Sequence, residues 1–545
     1  MKGRPGRDSF LKGGLHLRWK INGSEIVLAA MRSFLISLSL GCGLLALVAS
    51  VAADATPPMN VLVIQTDEHN FRTLGCYREL MSDDQAFIWG EGVKVDTPNI
   101  DWLAKNGAIC DRYYATSPVC TPSRAALMTG MYPQNTGSIS NDLPMKDEMV
   151  TFAEELRRQG YATGYAGKWH LDGPAKPGWA PERQFGFNDN RYMFNRGHWK
   201  KLGIGADGPM VAAVDKKGQP GYGLDDADDK SFTTDFLADR TVDFIRMNRQ
   251  KPFCYMVSIP DPHGPNTVRP PYDTMFDETL FRQPASALNQ GKGLPSFASV
   301  MKDRFNARQM ALYFGMVKCV DDNVGKILAA LREMGVIDRT LIVFTSDHGD
   351  MCGEHGRHNK GIPCEGSARI PFVIHAPGKI TPGTVVHEAL GTVDFKPTLL
   401  GLLGISTEAK VEGRDASALL CAGKADENWK DVTFVRIGQA DARSGNGWIA
   451  AFTRRYKLVV SPTTEPGFFD LKQDPNEMIN GFQLPRYREL VRELGAELEA
   501  YAKAHGEPHY ESAVVKSDLE WAIRGEGDYV PMARKAGKAK AAKGE

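Results

Sequence analysis

Residues 60–69 read NVLVIQTDEH, an apolar run that stops abruptly on charged and polar residues. The run begins just after Pro58 and ends at Asp67, and its length and bounds are typical of a strand buried within a sheet. Strands of this kind are found in parallel sheets that helices cover on both faces. The stretch therefore predicts a buried strand whose carboxyl end carries Asp67 and Glu68.

Three more apolar runs, at 162–167, 253–259 and 341–346, are also followed by residues with ionisable side chains. The residues that follow them are Lys168, His170, Asp261, His263, Asp347 and His348. Helical patterns alternate with these runs, which predicts an α/β fold built on a parallel sheet. Because ligands of such sheets bind beyond the carboxyl ends of the strands, we expect these side chains to lie together.

The pattern changes after about residue 425. Segments within 432–471 are typical of a small antiparallel sheet, and residues 485–504 form a charged amphipathic helix. We therefore predict a large α/β domain over 54–425, a smaller C-terminal subdomain over 426–530 and a disordered basic tail over 531–545.

The bulk composition is that of an ordinary globular protein. The 545 residues are 42% hydrophobic and 24% charged, and the chain is long enough for two domains. Lysine plus arginine equals aspartate plus glutamate, at 66 each, so the basic excess expected of a nucleic-acid-binding protein is lacking. The nine cysteines include no CxxC pair, which argues against a disulfide scaffold and against a cysteine-rich zinc site.

The N-terminal region predicts export. Met31 and Arg32 precede an uncharged stretch that closes on small residues up to Ala53, which is the pattern of a secretory signal peptide. We predict an upstream extension over 1–30 and a signal peptide over 31–53, so that the mature protein is secreted or periplasmic and not stably inserted in a membrane. The alternative is a transmembrane anchor, because the apolar stretch is long enough to span a bilayer.

Cys120 lies in the stretch SPVCTPSRAALMTG, residues 117–130. Pro122 fits the first turn of a helix and Gly130 would end it, so the cysteine is predicted at or just before a helix N-terminus. The unpaired N–H groups and the dipole of a helix start favour negative charge. Such a position activates a thiol or holds an anion, and the local residues leave both possibilities open.

The stretch CTPSRAALMTG (120–130) closely resembles the signature of the formylglycine-dependent sulfatases, which belong to the alkaline-phosphatase-like superfamily. GKWHL (167–171), PDPHGP (260–265) and TSDHGDMCGEHG (345–356) are similar to further motifs of that family, and the similarity covers most of 58–480. It implies an α/β fold with a large mixed, mostly parallel sheet flanked by helices, and a smaller C-terminal antiparallel sheet with a helix. It also implies a sulfuric ester hydrolase.

The resemblance implies that Cys120 is oxidised to formylglycine (3-oxoalanine) by a formylglycine-generating enzyme. One hydroxyl of the hydrated aldehyde would attack sulfur, and the other would later lose its proton to expel sulfate, so that the covalent step has a built-in exit. In this interpretation Cys120 is a precursor and not a working thiol.

Five further residues match catalytic positions of the family. Arg124 matches a residue that supports the formylglycine hydroxyl and the metal site, and Lys168 and Lys360 match lysines that contact sulfate oxygens. His170 is expected to position the diol and to take its proton during sulfate elimination. His263 is the candidate general acid for the leaving oxygen, with Lys360 as its competitor.

The resemblance also implies one metal ion per active site. The matching ligands are Asp67, Glu68, modified Cys120, Asp347 and His348, and their mainly oxygen donors favour Ca²⁺. Glu68 stands where aspartate or glutamine is frequent in the family, so it need not be a direct ligand. His348 stands where asparagine is frequent, which leaves Mn²⁺ or Zn²⁺ as alternatives.

Residues 188–222 form a long, glycine-rich insertion that is expected to select the substrate. Tyr192 or Trp199 could stack on a sugar ring while basic residues meet its anionic groups. The basic residues are Arg191, Arg196, His198, Lys200 and Lys201. The favoured substrate is therefore a sulfated carbohydrate, and the alternative is that the insertion is an ordinary solvated loop.

Two other functions stay open. A phosphonate monoester or phosphodiester hydrolase shares the fold and can carry the same modified cysteine, although Lys168 and the pair His170 and His263 favour sulfate. A non-catalytic glycan-binding protein on the same scaffold would be expected to have lost at least one of the residues above, and all of them are present.

Overall fold

The structure is a computed structural model that describes residues 58–301, 305–438 and 447–534. The predicted upstream extension, the signal peptide and the basic tail from residue 535 onward lie outside the described residues. Among the described helices, each is too short or too polar to serve as a membrane span.

A central eight-stranded sheet organises the chain. The strands of the described residues are, in chain order, β1 (Asn60–Asp67), β2 (Ala108–Cys110), β3 (Tyr113–Tyr114), β4 (Ala162–Lys168), β5 (Asp189–Phe194), β6 (Leu202–Gly205), β7 (Gly208–Val211), β8 (Phe253–Pro262), β9 (Thr340–Ser346), β10 (Phe372–His375), β11 (Thr384–Val386), β12 (Leu390–Gly391), β13 (Thr433–Ile437), β14 (Trp448–Phe452), β15 (Tyr456–Val460) and β16 (Gly467–Asp470). The central sheet has the order β11-β2-β10-β9-β1-β8-β4-β5. Neighbours from β9 to β5 run parallel, whereas β10 runs antiparallel to both β9 and β2. The predicted large, mixed and mostly parallel sheet is confirmed.

Helices fill the connections between these strands. The longer helices are α1 (Pro98–Lys105), α2 (Cys120–Thr129), α3 (Phe152–Arg158), α4 (Thr233–Asn248), α5 (Ala307–Glu333), α6 (Phe395–Leu403), α7 (Arg488–Ala504) and α8 (Ala513–Arg524). Shorter α-helical segments are Gly75–Arg78, Asp83–Ala86, Pro133–Thr136, Ala285–Leu288, Glu365–Ala368 and Ser417–Ala422. Gly130 ends α2 in the left-handed conformation at φ 69°, so the predicted start and end of this helix are both confirmed.

Side-chain alternation along β1 explains how both faces of the sheet are covered. All eight residues of β1 are buried. Leu62 and Ile64 pack in one apolar cluster with residues of α4 and α5, whereas Val61 and Val63 pack in another with residues of α2 and α3. Because successive strand residues point to opposite faces, a strand between two helical layers is apolar throughout, as the run at 60–66 predicts.

The strands β13 to β16 form a four-stranded antiparallel sheet near the C-terminus. One face packs on α7 and α8 through an apolar cluster that includes Ile449, Leu458 and Leu498. The opposite face contributes Trp448 and Val459 to a separate cluster. The predicted C-terminal antiparallel sheet and its helix are confirmed, while the domain boundaries themselves stay predictions.

The insertion over 188–222 contains more regular structure than its glycine-rich sequence predicts. β5 pairs in parallel with β4 and forms an edge of the central sheet, and β6 and β7 form an antiparallel hairpin. The alternative interpretation of the insertion as an ordinary loop is therefore wrong for these segments. They are four to six residues long and only partly buried, so they lack the continuous apolar run that marks β1.

Candidate functional site

The polar residues predicted at the strand ends meet at one edge of the central sheet. Asp67 is the last residue of β1 and Lys168 the last of β4, while His263 and Asp347 directly follow β8 and β9. These four strands run parallel, so their carboxyl ends share that edge. The convergence expected from the sequence is therefore observed.

Cys120 is the first residue of α2, and its side chain is only 2% exposed. Its Sγ lies 3.2 Å from His348 Nε2 and 4.0 Å from Asp67 Oδ1. Burial alone would raise the pKa of this thiol, but the positive charges of Lys168 and Lys360 outweigh burial and hold the pKa well below its ordinary value. The surroundings therefore stabilise negative charge on the side chain of residue 120.

Arg124 is completely buried one helical turn after Cys120. Its guanidinium donates to Asp347 Oδ2 at 2.9 Å and to Asp67 Oδ2 at 3.2 Å. Its other acceptors are Gln65 Oε1, the Lys168 carbonyl and Ser258 Oγ. Because each of its three nitrogens is engaged, Arg124 holds the two carboxylates in place beside the helix start.

Four buried groups lie close enough to share a metal ion. The ligand atoms of Asp67, Cys120, Asp347 and His348 all lie within 4.8 Å of one another. Burial, followed by the charge of Asp67, raises the pKa of the Asp347 carboxyl, and a cation bound between these groups would favour its ionised form. Two carboxylates, an imidazole and the side chain of residue 120 form a donor set that fits a divalent cation.

Glu68, the fifth predicted ligand, directs its carboxylate elsewhere. Its Oε2 lies 2.9 Å from His263 Nε2, and its Oε1 lies 3.2 Å from Lys360 Nζ. Only the backbone of Glu68 contacts the four candidate metal ligands, because its N–H donates to Asp347 Oδ1 at 3.2 Å. Burial would raise the pKa of Glu68, but His263 and Lys360 hold it well below its ordinary value. Its carboxylate therefore anchors two of the predicted catalytic side chains.

Two buried lysines bring positive charge to the site. Lys168 Nζ lies 2.6 Å from Asp67 Oδ2, and Lys360 Nζ lies 2.8 Å from His263 Nε2. The pKa of the Asp67 carboxyl would be raised by burial, yet Lys168 and the other nearby cations hold it well below its ordinary value. An anion next to residue 120 would meet both ammonium groups, where little water competes.

His170 follows β4 in the left-handed conformation at φ 60°, and it is 5% exposed. Its carbonyl accepts a hydrogen bond from Thr121 Oγ1 at 2.9 Å, which ties it to the first turn of α2. Its Nε2 lies 3.1 Å from Asp142 Oδ1, and its Nδ1 has no hydrogen-bonding partner among the described residues. The imidazole is therefore held beside the helix that carries Cys120.

His198 reaches the site from the insertion. Its ring stacks on that of His263 with the centroids 3.5 Å apart and the planes at 8°. Its Nε2 lies 2.7 Å from Lys168 Nζ. No motif or strand end marks His198 in the sequence, where it was only one of several basic residues in a stretch expected to meet the substrate. Its contacts place it among the groups of the site.

The prediction that Trp199 could stack on a sugar ring is wrong. Its indole is 1% exposed and stacks on the ring of Tyr222 with centroids 4.8 Å apart. Tyr192 packs its ring against α4 at Phe236. Lys200 is buried in an ion pair with a carboxylate of β8. Tyr192 and Lys200 thus attach the insertion to the rest of the fold, and Trp199 packs within it, which the alternation of aromatic and basic residues did not indicate.

Comparisons with known sequences agree with this geometry. The family profile described as "Sulfatase" matches residues 59–405, and the profile described as "N-sulphoglucosamine sulphohydrolase, C-terminal" matches residues 353–504. An arylsulfatase of Clostridium perfringens is 29% identical over 452 residues, which cover 75% of this chain and 91% of the relative. An N-acetylglucosamine-6-O-sulfatase of Bacteroides thetaiotaomicron is 25% identical over 565 aligned positions, covering 89% of this chain and 94% of the relative.

A solved structure shares the fold. It is described as BT4656 in complex with its substrate D-glucosamine-2-N,6-O-disulfate, and it superposes with a TM-score of 0.67 at 23% identity. The superposition covers 83% of this chain and 99% of that chain. The common architecture therefore extends over nearly the whole of the solved structure.

Proposed function

The chain belongs to the sulfatase family, and from that premise we propose that it hydrolyses sulfate monoesters of carbohydrates with a formylglycine made from Cys120. As a member of the family it is a sulfuric ester hydrolase. The observation that carries the proposal is the setting of Cys120, which is buried at a helix start between two buried lysines and a group of carboxylates. An anionic ester and a nucleophilic oxygen are both stabilised in such a setting.

Formylglycine at residue 120 would supply a hydrated aldehyde, with one hydroxyl for attack on sulfur and another through which sulfate is released. The chain's own residues prepare that position. Arg124 fixes Asp67 and Asp347 beside it, and the positive charges that lower the pKa of the Cys120 thiol would equally favour an ionised oxygen. Burial excludes bulk water from the nucleophile, so that the ester is not in competition with solvent for these charges.

We assign one divalent cation, with Ca²⁺ preferred, to Asp67, Asp347, His348 and the side chain of residue 120. When bound, this ion would act as a Lewis acid and neutralise the buried carboxylates. Oxygen donors favour Ca²⁺, while the imidazole of His348 keeps Mn²⁺ and Zn²⁺ as alternatives. Glu68 is left out of the set because both of its carboxylate oxygens face basic side chains.

His263 is assigned as the general acid for the leaving oxygen. Its Nδ1 lies 2.9 Å from the Gly264 carbonyl, which only accepts, so Nδ1 carries a proton and Nε2 is the atom that exchanges one. Glu68 accepts from Nε2 when it is protonated, and Lys360 donates to it when it is not. Lys360 is thus placed to return the proton to His263, and with Lys168 it would bind sulfate oxygens.

A sulfated carbohydrate is the substrate class that this setting supports best. Two of the proteins named above, the N-acetylglucosamine-6-O-sulfatase and the solved structure in complex with its substrate, act by their names on sulfated amino sugars. Basic groups also lie near the site: Arg196 is partly exposed, and the exposed Lys176 lies over the ring of Tyr222 at 4.8 Å. These groups suit a substrate that carries more than one anionic group. Export by the predicted signal peptide would bring the enzyme to polysaccharides outside the cell.

The first test is mass spectrometry of the tryptic peptide Tyr113–Arg124 from protein co-expressed with a formylglycine-generating enzyme. We expect the side chain of residue 120 to have lost its sulfur and gained an aldehyde oxygen. Cys120→Ala protein, prepared in parallel, is the matched control and should neither carry the aldehyde nor hydrolyse sulfate esters. An intact thiol in the presence of a working maturation enzyme would overturn the proposed nucleophile.

The substrate class is tested with the converted protein. Initial rates are compared on sulfated oligosaccharides, 4-nitrophenyl sulfate and an aryl phosphonate monoester. Faster turnover of the sulfates supports the proposal, whereas faster turnover of the phosphonate would assign the site to phosphonate hydrolysis. Binding of sulfated oligosaccharides without any turnover would favour a glycan-binding protein.

A further inference from the structure

The dipeptide Asn141–Asp142 connects the helix that carries Cys120 with the imidazole of His170. Asn141 Oδ1 accepts the backbone N–H of Thr121 at 3.1 Å, so it satisfies one of the unpaired donors at the start of α2. The next residue, Asp142, places its Oδ1 3.1 Å from His170 Nε2. The separation between the helix start and the imidazole is therefore fixed through two adjacent side chains.

Asp142 adopts the left-handed conformation at φ 66°. Residues other than glycine adopt this conformation at a cost, although aspartate and asparagine tolerate it better than most. Glycine would occupy the position with less strain and would carry no carboxylate. Strain next to a reactive side chain is a reason to look for a use of that carboxylate.

The second carboxylate oxygen of Asp142 is held by Arg196, whose Nη1 lies 3.1 Å from Oδ2. Arg196 belongs to the connection between β5 and β6, and the neighbouring Asn195 carbonyl accepts the backbone N–H of His170 at 2.7 Å. The side chains of Asp142 and Arg196 are 32% and 25% exposed. The carboxylate is therefore fixed from two sides while the imidazole behind it stays buried.

The two ring nitrogens of His170 have different surroundings. A carboxylate oxygen accepts and does not donate, so the bond to Asp142 needs the proton on Nε2. In the neutral ring the lone pair then lies on Nδ1, which is buried and has no hydrogen-bonding partner among the described residues. Such an acceptor is free to take a proton from a group that enters the site.

We propose that Asp142 is a positioning residue that, together with Arg196, fixes His170 in the tautomer protonated on Nε2, so that Nδ1 takes up the proton lost when sulfate is released. Nδ1 would gain this proton, the electron pair of the broken O–H bond would form the C=O bond of the aldehyde, and the C–O bond to sulfate would break. Sulfate would leave as the dianion with the electrons of that C–O bond, and the ring would become a cation. The carboxylate of Asp142 stabilises that cation. The inference rests on the proposed function, because it concerns the release step of that reaction.

The test compares Asp142→Gly and Asp142→Asn with wild type, using full-length protein whose conversion at residue 120 has been confirmed by mass spectrometry. Turnover by the wild-type protein tests the proposed sulfatase function separately. A negative result for the Asp142 variants would therefore leave that function standing. We expect kcat on 4-nitrophenyl sulfate to fall about a hundredfold in Asp142→Gly, the size of a general-base contribution. Asp142→Asn should lose about tenfold, because its amide oxygen can still accept the hydrogen bond from Nε2–H but lacks the negative charge.

The value of kcat/KM distinguishes a positioning role of Asp142 from a general disturbance of the active site. It covers the steps up to release of nitrophenol and not the later release of sulfate, so it should stay within about threefold of wild type in both variants. The matched control is Asp189→Asn, which breaks a bidentate pair with Arg191 in the insertion that also carries Arg196, and it should leave both constants unchanged. A parallel fall of kcat and kcat/KM, or no fall in kcat, would overturn the proposal.

A second measurement does not depend on turnover. Crystal structures are determined for wild type and both Asp142 variants with Cys120 left unmodified. We expect the ring of His170 to keep its orientation in wild type and Asp142→Asn, and to rotate or become disordered in Asp142→Gly. Since glycine is unstrained at φ 66°, a loss of fold is not the expected result. An unmoved ring in Asp142→Gly would show that the carboxylate does not position it.

Discussion

His263 has an acceptor on one side and a donor on the other, so its role can be tested by the choice of leaving group. If Nε2 protonates the leaving oxygen, His263→Asn should lower kcat/KM on a sugar sulfate by about 100- to 10,000-fold. The loss on 4-nitrophenyl sulfate should be much smaller, because nitrophenolate leaves with little protonation. Steady-state rates on the two esters measure the difference.

Lys360→Gln is the companion variant for this comparison. Lys360 contacts both His263 and Glu68, and we expect it to bind sulfate, so its loss should lower the rates on both esters alike. Equal losses on both esters for His263→Asn would instead argue against its role as the acid. A loss confined to the sugar sulfate in Lys360→Gln would transfer that role to the lysine.

The metal site can be tested without turnover by thermal unfolding. A ligand that binds only the folded state at about 100 times its dissociation constant stabilises it by about 2.7 kcal/mol. Ca²⁺ should therefore raise the melting temperature of wild type and leave Asp347→Asn unchanged, because that variant loses a carboxylate of the buried group. Parallel titrations with Mn²⁺ and Zn²⁺ rank the alternative ions.

Glu68→Gln is the control that separates the two carboxylates at the end of β1. The Glu68 side chain contacts His263 and Lys360, so Ca²⁺ should still stabilise this variant. If Glu68→Gln lost the response while Asp347→Asn kept it, the ligand set assigned to the site would be wrong.

The pairing of β4 with β8 depends on a glycine next to Lys168. Gly167 has φ 99°, and a Cβ built there would lie 1.9 Å from the Ser258 carbonyl oxygen. Gly167→Ala should therefore lower the free energy of unfolding by about 3 kcal/mol or more, since overpacking adds to backbone strain. Gly160 is the matched control: it has φ 83° with nothing within 4 Å of a built Cβ, so Gly160→Ala should cost only about 1 kcal/mol.

Urea unfolding of both alanine variants measures these costs. Because Lys168 follows Gly167 directly, displacement of the strand end should also reduce the activity of Gly167→Ala. If both variants lost the same free energy of unfolding, β4 and β8 would be able to move apart at Gly167 and make room for the Cβ, contrary to this prediction.

The sequence predicts those elements whose own residues carry a recognisable pattern. β1, β8 and β9 are buried on both faces and are read directly from continuous apolar runs, and the bounds of α2 follow from Pro122 and Gly130. β5 escapes prediction because only part of it is buried. The antiparallel direction of β10 is set by its neighbours β9 and β2, and nothing in its own four residues, FVIH, specifies it.

The residues of the site also fall into a group that the sequence predicts and a group that it does not. Asp67, Lys168, His263 and Asp347 are predictable because each follows a strand, and the carboxyl ends of parallel strands lie at one edge. His198 and Asp142 belong to connecting segments and reach the site through contacts with residues that are distant in sequence. Their roles depend on how those segments fold back, which no local pattern expresses.

At the scale of the whole molecule, the strand order places the acidic residues of the site on one side and its basic residues on the other. β9 and β1 are neighbours, so Asp347 and Asp67 lie side by side and form the acidic group. β8 and β4 follow next in the sheet, so His263 and Lys168 lie on the other side of Asp67. The order β9-β1-β8-β4 thus puts the metal ligands and the groups for the ester next to each other along one edge.

Stability of the whole fold should depend on a buried carboxyl outside the site. Asp321 on α5 accepts hydrogen bonds from the backbone N–H groups of Asn99 and Ile100, at 3.1 and 2.9 Å, and so satisfies the start of α1. Burial raises the pKa of Asp321 to about 6. The unfolded value is about 3.9, so the folded state binds this proton more tightly, and the resulting stability is present below about pH 4 and lost as the pH rises through 6.

Asp321→Asn cannot ionise and should lack this dependence. The free energy of unfolding of wild type relative to the variant should fall by about 2 kcal/mol between about pH 4.5 and about pH 7, as the difference between the two pKa values requires. Urea unfolding at several pH values measures it. Asp322→Asn, at the neighbouring and more exposed position on the same helix, is the control and should follow the wild-type curve. If the Asp321→Asn curve also ran parallel to wild type, ionisation of Asp321 would not be linked to folding, and its hydrogen bonds to α1 would hold the carboxylate as easily as water does.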